Sequence, residues 1–447
     1  MKNKLPIPSN ITRISQAIKP TSSDGVQQVV FYQAGIGSTG NFINKIVGGA
    51  TAEGLSENIR SAYTFIALNY STGDEIYLFG FSRGAFTARS IAGLIDGVGL
   101  LTKQGLEYLA EVFKDFENRE NPNYKPAYPN TPIFEKPSAL DPRYRNELVR
   151  KGLSRLSIAI KAIGVFDTVG SLGIPRIEWL ERLHLQTKST KEYLFYDTAL
   201  NDHIENAFQA LALDEHRAAF SPAVWEKPRG NETNLRQVWF SGVHSNIGGG
   251  YADQGQANIT LAWMMSQVAG FIDFDEHYIL DQYDETLQHY EETEQTPRPW
   301  SFGKIYRSFT GFYMLAGRTT RTPGAYTRVN PDTGRSTGKP LRQTNQYIHP
   351  SVRSRIKLKG PGVEDIEAYD GHPLDPYKLK MTDEPAGGSP IVLWQPRNRR
   401  KGSRLKDLPE SPLWRIELQL LEESPRIQEY ILKGSPRRGA EQASVGS

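Results

Sequence analysis

Residues 75–89 read Glu-Ile-Tyr-Leu-Phe-Gly-Phe-Ser-Arg-Gly-Ala-Phe-Thr-Ala-Arg, and the prediction of the fold begins from this segment. Its first half has the pattern of a buried strand that ends at Gly80, and a helix is predicted over residues 84–94. The five residues 80–84 match Gly-x-Ser-x-Gly. In such a strand–serine–helix elbow the serine sits on a tight, strained turn and its hydroxyl projects above the sheet. The pattern predicts Ser82 as a nucleophile, and the alternative is a tight turn that uses small residues only for packing.

Strand-like and helix-like segments alternate through the first half of the chain. Strands are predicted over residues 29–32, 75–80, 158–166 and 236–243. Helices are predicted over residues 84–94, 204–220 and 259–268, and over a segment capped by Ser56 that runs to residue 70. This order is typical of parallel βαβ units with helices on both faces of a sheet. We therefore predict the α/β class with a mostly parallel sheet, and the serine elbow predicts that this sheet is α/β-hydrolase-like.

Changes of composition along the chain indicate the domain organisation. Residues 1–296 are predicted to form the catalytic domain, with an irregular insertion at about 103–155 whose residues 118–142 are rich in Pro and Asn. Residues 297–433 are predicted to be an appended region with its own β content, including strands over 391–394 and 414–420. The arginines between 318 and 342 are interpreted as solvent-exposed. The small, polar residues 434–447 are predicted to be disordered.

Composition and charge exclude several classes of protein. The chain has 447 residues, of which 38% are hydrophobic and 23% charged, an ordinary globular balance. A net charge of +3 does not indicate a nucleic-acid partner. Cysteine is absent, which excludes disulfides, thiolate metal sites and a cysteine nucleophile. Neither a signal peptide nor a membrane-spanning segment is apparent, so a cytoplasmic location is predicted. No metal or cofactor is predicted.

A nucleophilic serine needs a histidine as base and a carboxylate that fixes the tautomer of that histidine. In α/β-hydrolases these residues follow the serine in the order acid, then histidine. Asp167 ends a predicted strand and precedes a glycine-bearing loop, and His244 follows a predicted strand and precedes a glycine-rich turn. They are the favoured candidates. Asp253 and Asp214 remain alternatives for the acid, and a structural role remains the alternative for His244.

Residues 35–40, Gly-Ile-Gly-Ser-Thr-Gly, match the dinucleotide-binding pattern Gly-x-Gly-x-x-Gly. No acidic ribose ligand follows at the required spacing, so nucleotide binding is only the weaker alternative. A place at the carboxyl edge of the sheet near Ser82 is favoured instead. There the backbone N–H groups of Gly35 and of Arg83, the residue after the nucleophile, would form an oxyanion hole.

Four ordered segments together resemble a known family. They are GFSRGAFTARSIAGLI (80–95), VFDTVGSLGIP (165–175), ALALDEHR (210–217) and VWFSGVHSNIGGGY (238–251). They are similar to the catalytic domain of the type VI secretion lipase effectors (Tle-one type), with fungal relatives long filed as a domain of unknown function, and the resemblance covers about residues 6–270. It implies an α/β-hydrolase fold, phospholipase activity and a triad of Ser82, Asp167 and His244.

The chain departs from that family at its start. Relatives begin with a strand that ends in Asp-Gly-Thr, upstream of the stretch that reads Pro-Ser-Asn-Ile-Thr-Arg-Ile over residues 8–14 here. The resemblance therefore predicts that the family's first strand is missing from this sequence, either because the true start lies upstream or because the strand has been lost. Its loss would leave a sheet edge unpaired and would reduce solubility and activity.

The sequence as a whole favours a serine esterase or lipase that acts on a lipid or small ester without a cofactor. The alternative is a non-catalytic or truncated hydrolase fold that serves as a binding module. Six of the ten residues 397–406 are basic. This segment is interpreted as a solvated loop, although a nuclear-import signal or a peripheral contact with anionic headgroups stays open. The oligomeric state is not predicted.

Overall fold

The computed structural model describes residues 7–34, 50–119, 121, 123–124, 139, 141–169, 200–309, 317–329, 336–382, 391–398 and 405–433. The glycine-rich residues 35–40, the predicted tail 434–447 and most of the insertion between 120 and 140 lie outside these residues. So does the middle of the basic segment, residues 399–404.

The described strands are β1 (Tyr77–Phe81), β2 (Leu100–Leu101), β3 (Ser154–Arg155), β4 (Ile160–Phe166), β5 (Ile204–Ala212), β6 (Asn234–Phe240), β7 (Thr327–Val329), β8 (Ser336–Pro340), β9 (Gln346–Ile348), β10 (Tyr377–Thr382), β11 (Ile391–Pro396) and β12 (Leu408–Pro409). The described α-helices are α1 (Asn10–Ala17), α2 (Ala50–Asn69), α3 (Arg83–Val98), α4 (Leu109–Glu117), α5 (Pro142–Arg150), α6 (His244–Gly248), α7 (Gly255–Val268), α8 (Tyr278–Glu292), α9 (Pro350–Lys357), α10 (Arg415–Glu422) and α11 (Pro425–Lys433). Short 3₁₀ turns occur at Gly105–Tyr108, Ala218–Phe220 and His372–Leu374.

A five-stranded sheet in the order β1-β4-β5-β6-β9 forms the centre of the molecule, and all of its strands are parallel. Helices cover both faces. On one face α2, α3 and α4 pack against side chains such as Ile163 and Val165, and on the other α1, α7, α8, α10 and α11 pack against side chains such as Phe166 and Phe208. Successive residues of β4 point to opposite faces, so both faces need apolar side chains. The predicted α/β class is confirmed.

Two of the predicted element types are wrong. Residues 204–212, predicted as helix, form the central strand β5, whose residues 207–212 are buried. An apolar run that is covered on both sides loses the alternation that distinguishes a strand from a helix. Residues 415–422, predicted largely as strand, form α10. The backbone N–H of Trp414 donates to Glu417 at the start of that helix (3.1 Å), and its apolar side packs against α7.

Three further expectations need correction. Residues 29–32 are irregular and unpaired within the described chain, and Val29 is 76% exposed. Ser56 does not cap a helix, because α2 begins at Ala50, and its hydroxyl instead donates to Glu117 on α4 (3.1 Å). The predicted irregular insertion contains α4 and α5, and the apolar side of α4 is buried against α3.

The region after residue 296 contributes to the central sheet as well as forming small sheets of its own. Strand β9 pairs with β6 over Gln346–Ile348, whereas β10, β11 and β12 form a separate antiparallel sheet. The predicted β content is confirmed, including the strand at 391–394. The predicted domain boundary at residue 297 stays a prediction.

Strand β1, which leads to Ser82, is the outermost strand of the central sheet within the described residues. Its inner neighbour is β4, with Phe81 opposite Phe166. Because parallel strands present all their carboxyl ends at one edge, the residues that follow β1, β4 and β6 lie at the same end of the sheet. Ser82, Asp167 and the loop before His244 occupy these positions.

Candidate active site

Ser82 occupies the tight turn between β1 and α3. Its backbone has φ 57° and ψ −117°, in the left-handed half of conformational space that a residue with a side chain rarely adopts. Its N–H donates to the carbonyl of Phe166 at the end of β4 (3.1 Å), which extends the β1–β4 ladder by one bond. The backbone of Ser82 is therefore held beside Phe166, the last residue of β4, which directly precedes Asp167.

Asp167 is fully buried at the end of β4, also at positive φ (43°). Its Oδ2 accepts from His244 Nδ1 over 2.6 Å, and its Oδ1 accepts from the N–H of Ala212 over 3.0 Å. Burial raises the pKa of Asp167, but the positive charge of Arg321 and the hydrogen bond from His244 outweigh burial and hold this pKa well below its usual value. The carboxyl group is ionised and acts only as an acceptor.

His244 begins the short helix α6 directly after the loop that follows β6. Its ring lies against two aromatic rings, with centroids 4.6 Å from Phe81 and 4.8 Å from Phe220, the second edge-on. Because the Asp167 carboxylate can only accept, Nδ1 carries the proton and Nε2 keeps a free electron pair. Burial lowers the pKa of His244 below its usual value, and Asp167 opposes that effect. The imidazole is thus a neutral base at neutral pH.

The two rival carboxylates are hydrogen-bonded to other groups. Asp253 accepts from Tyr290 Oη and from the N–H of Lys304, both at 2.9 Å. Asp214 accepts from the N–H of Gly242 (2.6 Å) and from Tyr369 Oη. Neither is hydrogen-bonded to His244, so the structure brings His244 together with Asp167.

The serine is close to this pair but is not bonded to it. Phe81, the residue before Ser82, packs on the His244 ring, whereas no hydrogen bond joins Ser82 Oγ to His244 in the described part of the chain. Catalytic hydrogen bonds are often long in unliganded enzymes and tighten when substrate binds. The N–H of Arg83 lies in the first turn of α3, and Gly35 is outside the described residues.

Two charged residues at the site are not predicted from the sequence. Arg321, which was assigned to an exposed loop, is 2% exposed and contacts Asp167 through both terminal nitrogens. Glu215 is completely buried, accepts from the N–H of His244 (3.3 Å) and pairs with Arg217 (2.8 Å). Glu215 comes three residues after the end of β5, and an acidic residue soon after an apolar run is a detectable signal, whereas the surroundings of Arg321 are rich in Gly, Thr and Arg and give no such signal.

Fold and site together define an α/β-hydrolase-like protein with a serine elbow beside a buried Asp–His pair. Residues 1–267 match the family model described as "T6SS, Phospholipase effector Tle1-like, catalytic domain", and the chain belongs to this family. The resemblance predicted from the four sequence segments is confirmed.

An uncharacterized protein of Saccharomyces cerevisiae is similar to part of the chain. The two are 29% identical over an alignment of 229 residues, and the alignment covers 47% of this chain and 29% of the yeast protein. The similarity thus spans less than a third of the yeast relative. No solved structure matches the chain. Among the helices of the described residues, none combines the length and the apolar character that crossing a membrane requires.

Proposed function

We propose that this chain is a serine hydrolase that cleaves carboxylic ester bonds of lipids through an acyl-enzyme on Ser82, with His244 as the base and Asp167 as its orienting acid. The observation that carries the proposal is the buried 2.6 Å hydrogen bond between Asp167 and His244. It lies beside the strained turn of Ser82, whose N–H is bonded to Phe166, the residue before Asp167. The family description, phospholipase effector, supports a lipid ester as the substrate.

Acylation begins when Ser82 Oγ attacks the ester carbonyl carbon. The hydroxyl proton passes to His244 Nε2, and the imidazolium that forms is stabilised by the Asp167 carboxylate on Nδ1. The carbonyl oxygen becomes an oxyanion, and the N–H of Arg83 at the start of α3 donates to it, assisted by the field of the helix N-terminus. Gly35 is the proposed second donor.

The tetrahedral intermediate then collapses. The carbon–oxygen bond to the leaving alcohol breaks, and His244 gives that alcohol its proton, so the products are the free alcohol and an ester on Ser82. In the second half of the cycle His244 takes a proton from water, and the resulting hydroxide attacks the acyl carbon. The proton returns to Ser82 Oγ as the fatty acid leaves. The complete cycle consumes one water and needs no cofactor.

Labelling with a fluorophosphonate probe tests the activated serine without assuming a substrate. We expect the unmodified chain to be labelled and Ser82→Ala to be unlabelled, because only Oγ is removed. Ser90→Ala is the matched control. Ser90 lies on the same helix α3 and its buried hydroxyl has no hydrogen-bond partner among the described residues, so its loss leaves labelling unchanged.

The same variants address the substrate class. Release of fatty acid from phosphatidylcholine vesicles, lost in Ser82→Ala and kept in Ser90→Ala, is the expected result. Hydrolysis of short soluble esters without any release from vesicles would restrict the function to a simple esterase. A folded chain that takes no probe and cleaves neither substrate would be a non-catalytic binding module.

A further inference from the structure

A buried arginine from outside the matched family region is bonded to the acid of the site. Arg321 lies beyond residues 1–267, yet its Nη1 donates to Asp167 Oδ1 over 2.6 Å and its Nη2 donates to Oδ2 over 3.1 Å. The same nitrogens also donate to the carbonyls of Ala212 (2.8 Å) and Phe220 (2.5 Å). The guanidinium therefore joins the ends of β4 and β5 to the segment that carries Phe220.

We propose that Arg321 is a positioning residue of the triad, which fixes the Asp167 carboxylate toward His244 and neutralises its charge. The inference rests on the proposed function of the site. A planar fork of donors that meets both oxygens holds a carboxylate in one rotation about its side-chain bonds. Oδ1 accepts from Arg321 and from the N–H of Ala212, and Oδ2, which also accepts from Arg321, is the oxygen that faces His244.

The charge of Arg321 has a consequence for the base. A lone buried carboxylate would stabilise the protonated imidazole, so His244 would already carry its second proton at mildly acidic pH and could not accept the serine proton. A guanidinium on the far side of the carboxylate brings the net charge of the Arg321–Asp167 pair to zero. His244 therefore remains neutral down to a lower pH, where it can still accept the serine proton.

Other charged groups around the pair do not duplicate this effect. Glu215 and Arg217 face His244 but form an ion pair with each other (2.8 Å), so their charges largely cancel at the ring. Tyr326 faces Arg321, and burial together with the nearby charges leaves its pKa above its usual value, so that it is neutral. Within the described residues, Arg321 is the cation bonded directly to the Asp167 carboxylate.

Arg321 also ties three segments together, so an effect on stability alone would not establish the proposal. The experiment compares Arg321→Met, which removes the charge, with Arg321→Lys, which keeps the charge and loses the fork. Arg353→Met is the matched control, since Arg353 is equally buried and pairs with Glu410 (2.9 Å), away from the site. Each variant is assayed for thermal melting and for the pH profile of kcat/KM on a soluble ester.

We expect Arg321→Met to move the acidic limb of the profile upward by about one pH unit and to lower kcat/KM at neutral pH by at least about tenfold. Arg321→Lys should leave the limb in place while still lowering the rate, because one ammonium cannot hold both oxygens. Arg353→Met should lower the melting temperature without moving the limb. A folded Arg321→Met with an unmoved limb, or an equal shift in Arg353→Met, would overturn the proposal.

An NMR titration of the His244 ring keeps this test separate from that of the proposed function. The midpoint of the titration should rise by about one unit in Arg321→Met and stay in place in Arg321→Lys, whether or not the chain turns over substrate. Failure of probe labelling in the unmodified chain would contradict the proposed function but not the effect of Arg321 on His244. If the Arg321→Met variant is folded and labelled and the midpoint of its His244 titration has not moved, the role of Arg321 is contradicted and the proposed function is not. If the Met variant does not fold, a shifted limb in a folded Lys variant overturns the charge argument.

Discussion

The backbone at Gly80 lies directly against the backbone carbonyl of Gly84, so that a Cβ built on Gly80 would be 2.3 Å from the Gly84 oxygen. Gly84 itself has nothing within 4 Å of its own Cβ position. The two glycines of the Gly-x-Ser-x-Gly pattern therefore have different roles. The first permits the close approach of the strand to the helix, and the second lies at an open position of the helix.

This difference predicts opposite outcomes for the two alanine substitutions. Gly80→Ala should force the elbow apart and cost about 1–3 kcal/mol or more of the free energy of unfolding. Gly84→Ala should be neutral or stabilising by up to about 1 kcal/mol, because alanine is the better helix former. Denaturant unfolding of the two variants measures this. Equal stabilities would show that strand and helix are not tightly apposed at this turn.

Asp167→Asn tests the acid by its effect on the tautomer of His244. The amide retains the shape of the carboxylate but can donate, which favours the proton on the wrong ring nitrogen. By analogy with the protease triad we expect kcat for ester hydrolysis to fall by about 10⁴-fold. Asp253→Asn is the control, since Asp253 binds Tyr290 and the Lys304 N–H instead. A loss below about tenfold, with the greater loss in Asp253→Asn, would reassign the acid.

The edge-on contact of Phe220 with His244 should hold the imidazole in its plane. Phe220→Leu keeps the site apolar but removes the ring, and an aromatic pair of this kind contributes about 0.5–1.5 kcal/mol. We expect up to about a tenfold loss of kcat with little change in KM. Phe208→Leu, a change of a buried ring in β5, should lower stability without this loss of kcat. A rise in KM alone would indicate that Phe220 contacts the substrate instead.

Asp214 should make the stability of the fold dependent on pH. Burial raises the pKa of Asp214 to about 6, although the Gly242 N–H and Tyr369 partly oppose this rise. A raised pKa contributes stability at low pH, and this contribution is lost as the pH rises from near 4 through 6. The asparagine in Asp214→Asn cannot ionise, so the variant does not lose stability by placing a buried negative charge at this position. The variant should therefore gain up to about 3 kcal/mol relative to the unmodified chain between pH 4 and pH 7.

Unfolding curves at the two pH values measure this difference. A constant gap between the two proteins from pH 4 to pH 7 would contradict the raised pKa. Glu57→Gln, at an exposed ion pair on α2, serves as the control, and its difference from the unmodified chain should stay small throughout.

Where local pattern and tertiary environment agree, the sequence was sufficient to predict the structure. The strand before Ser82, the helix after it and the strands that lead to Asp167 and toward His244 all follow from short apolar runs and glycines next to them. Parallel order then requires that the carboxyl ends of these strands meet at one edge. The β5 segment was mistaken for a helix because burial on both faces removes the alternation of apolar and polar residues, which is the local signal of a strand.

The class of the fold, the family and the strand ends from which Ser82, Asp167 and His244 come can thus be predicted from the sequence alone. The tertiary structure alone selects the carboxylate that meets His244, since Asp167 and Asp214 both follow apolar segments and Asp253 follows the glycine-rich turn after His244. It also decided the place of Arg321. An arginine in a run of Gly, Thr and Arg carries no local sign of burial, because its burial depends on a carboxylate 154 residues earlier in the chain that offsets the cost of removing its charge from water.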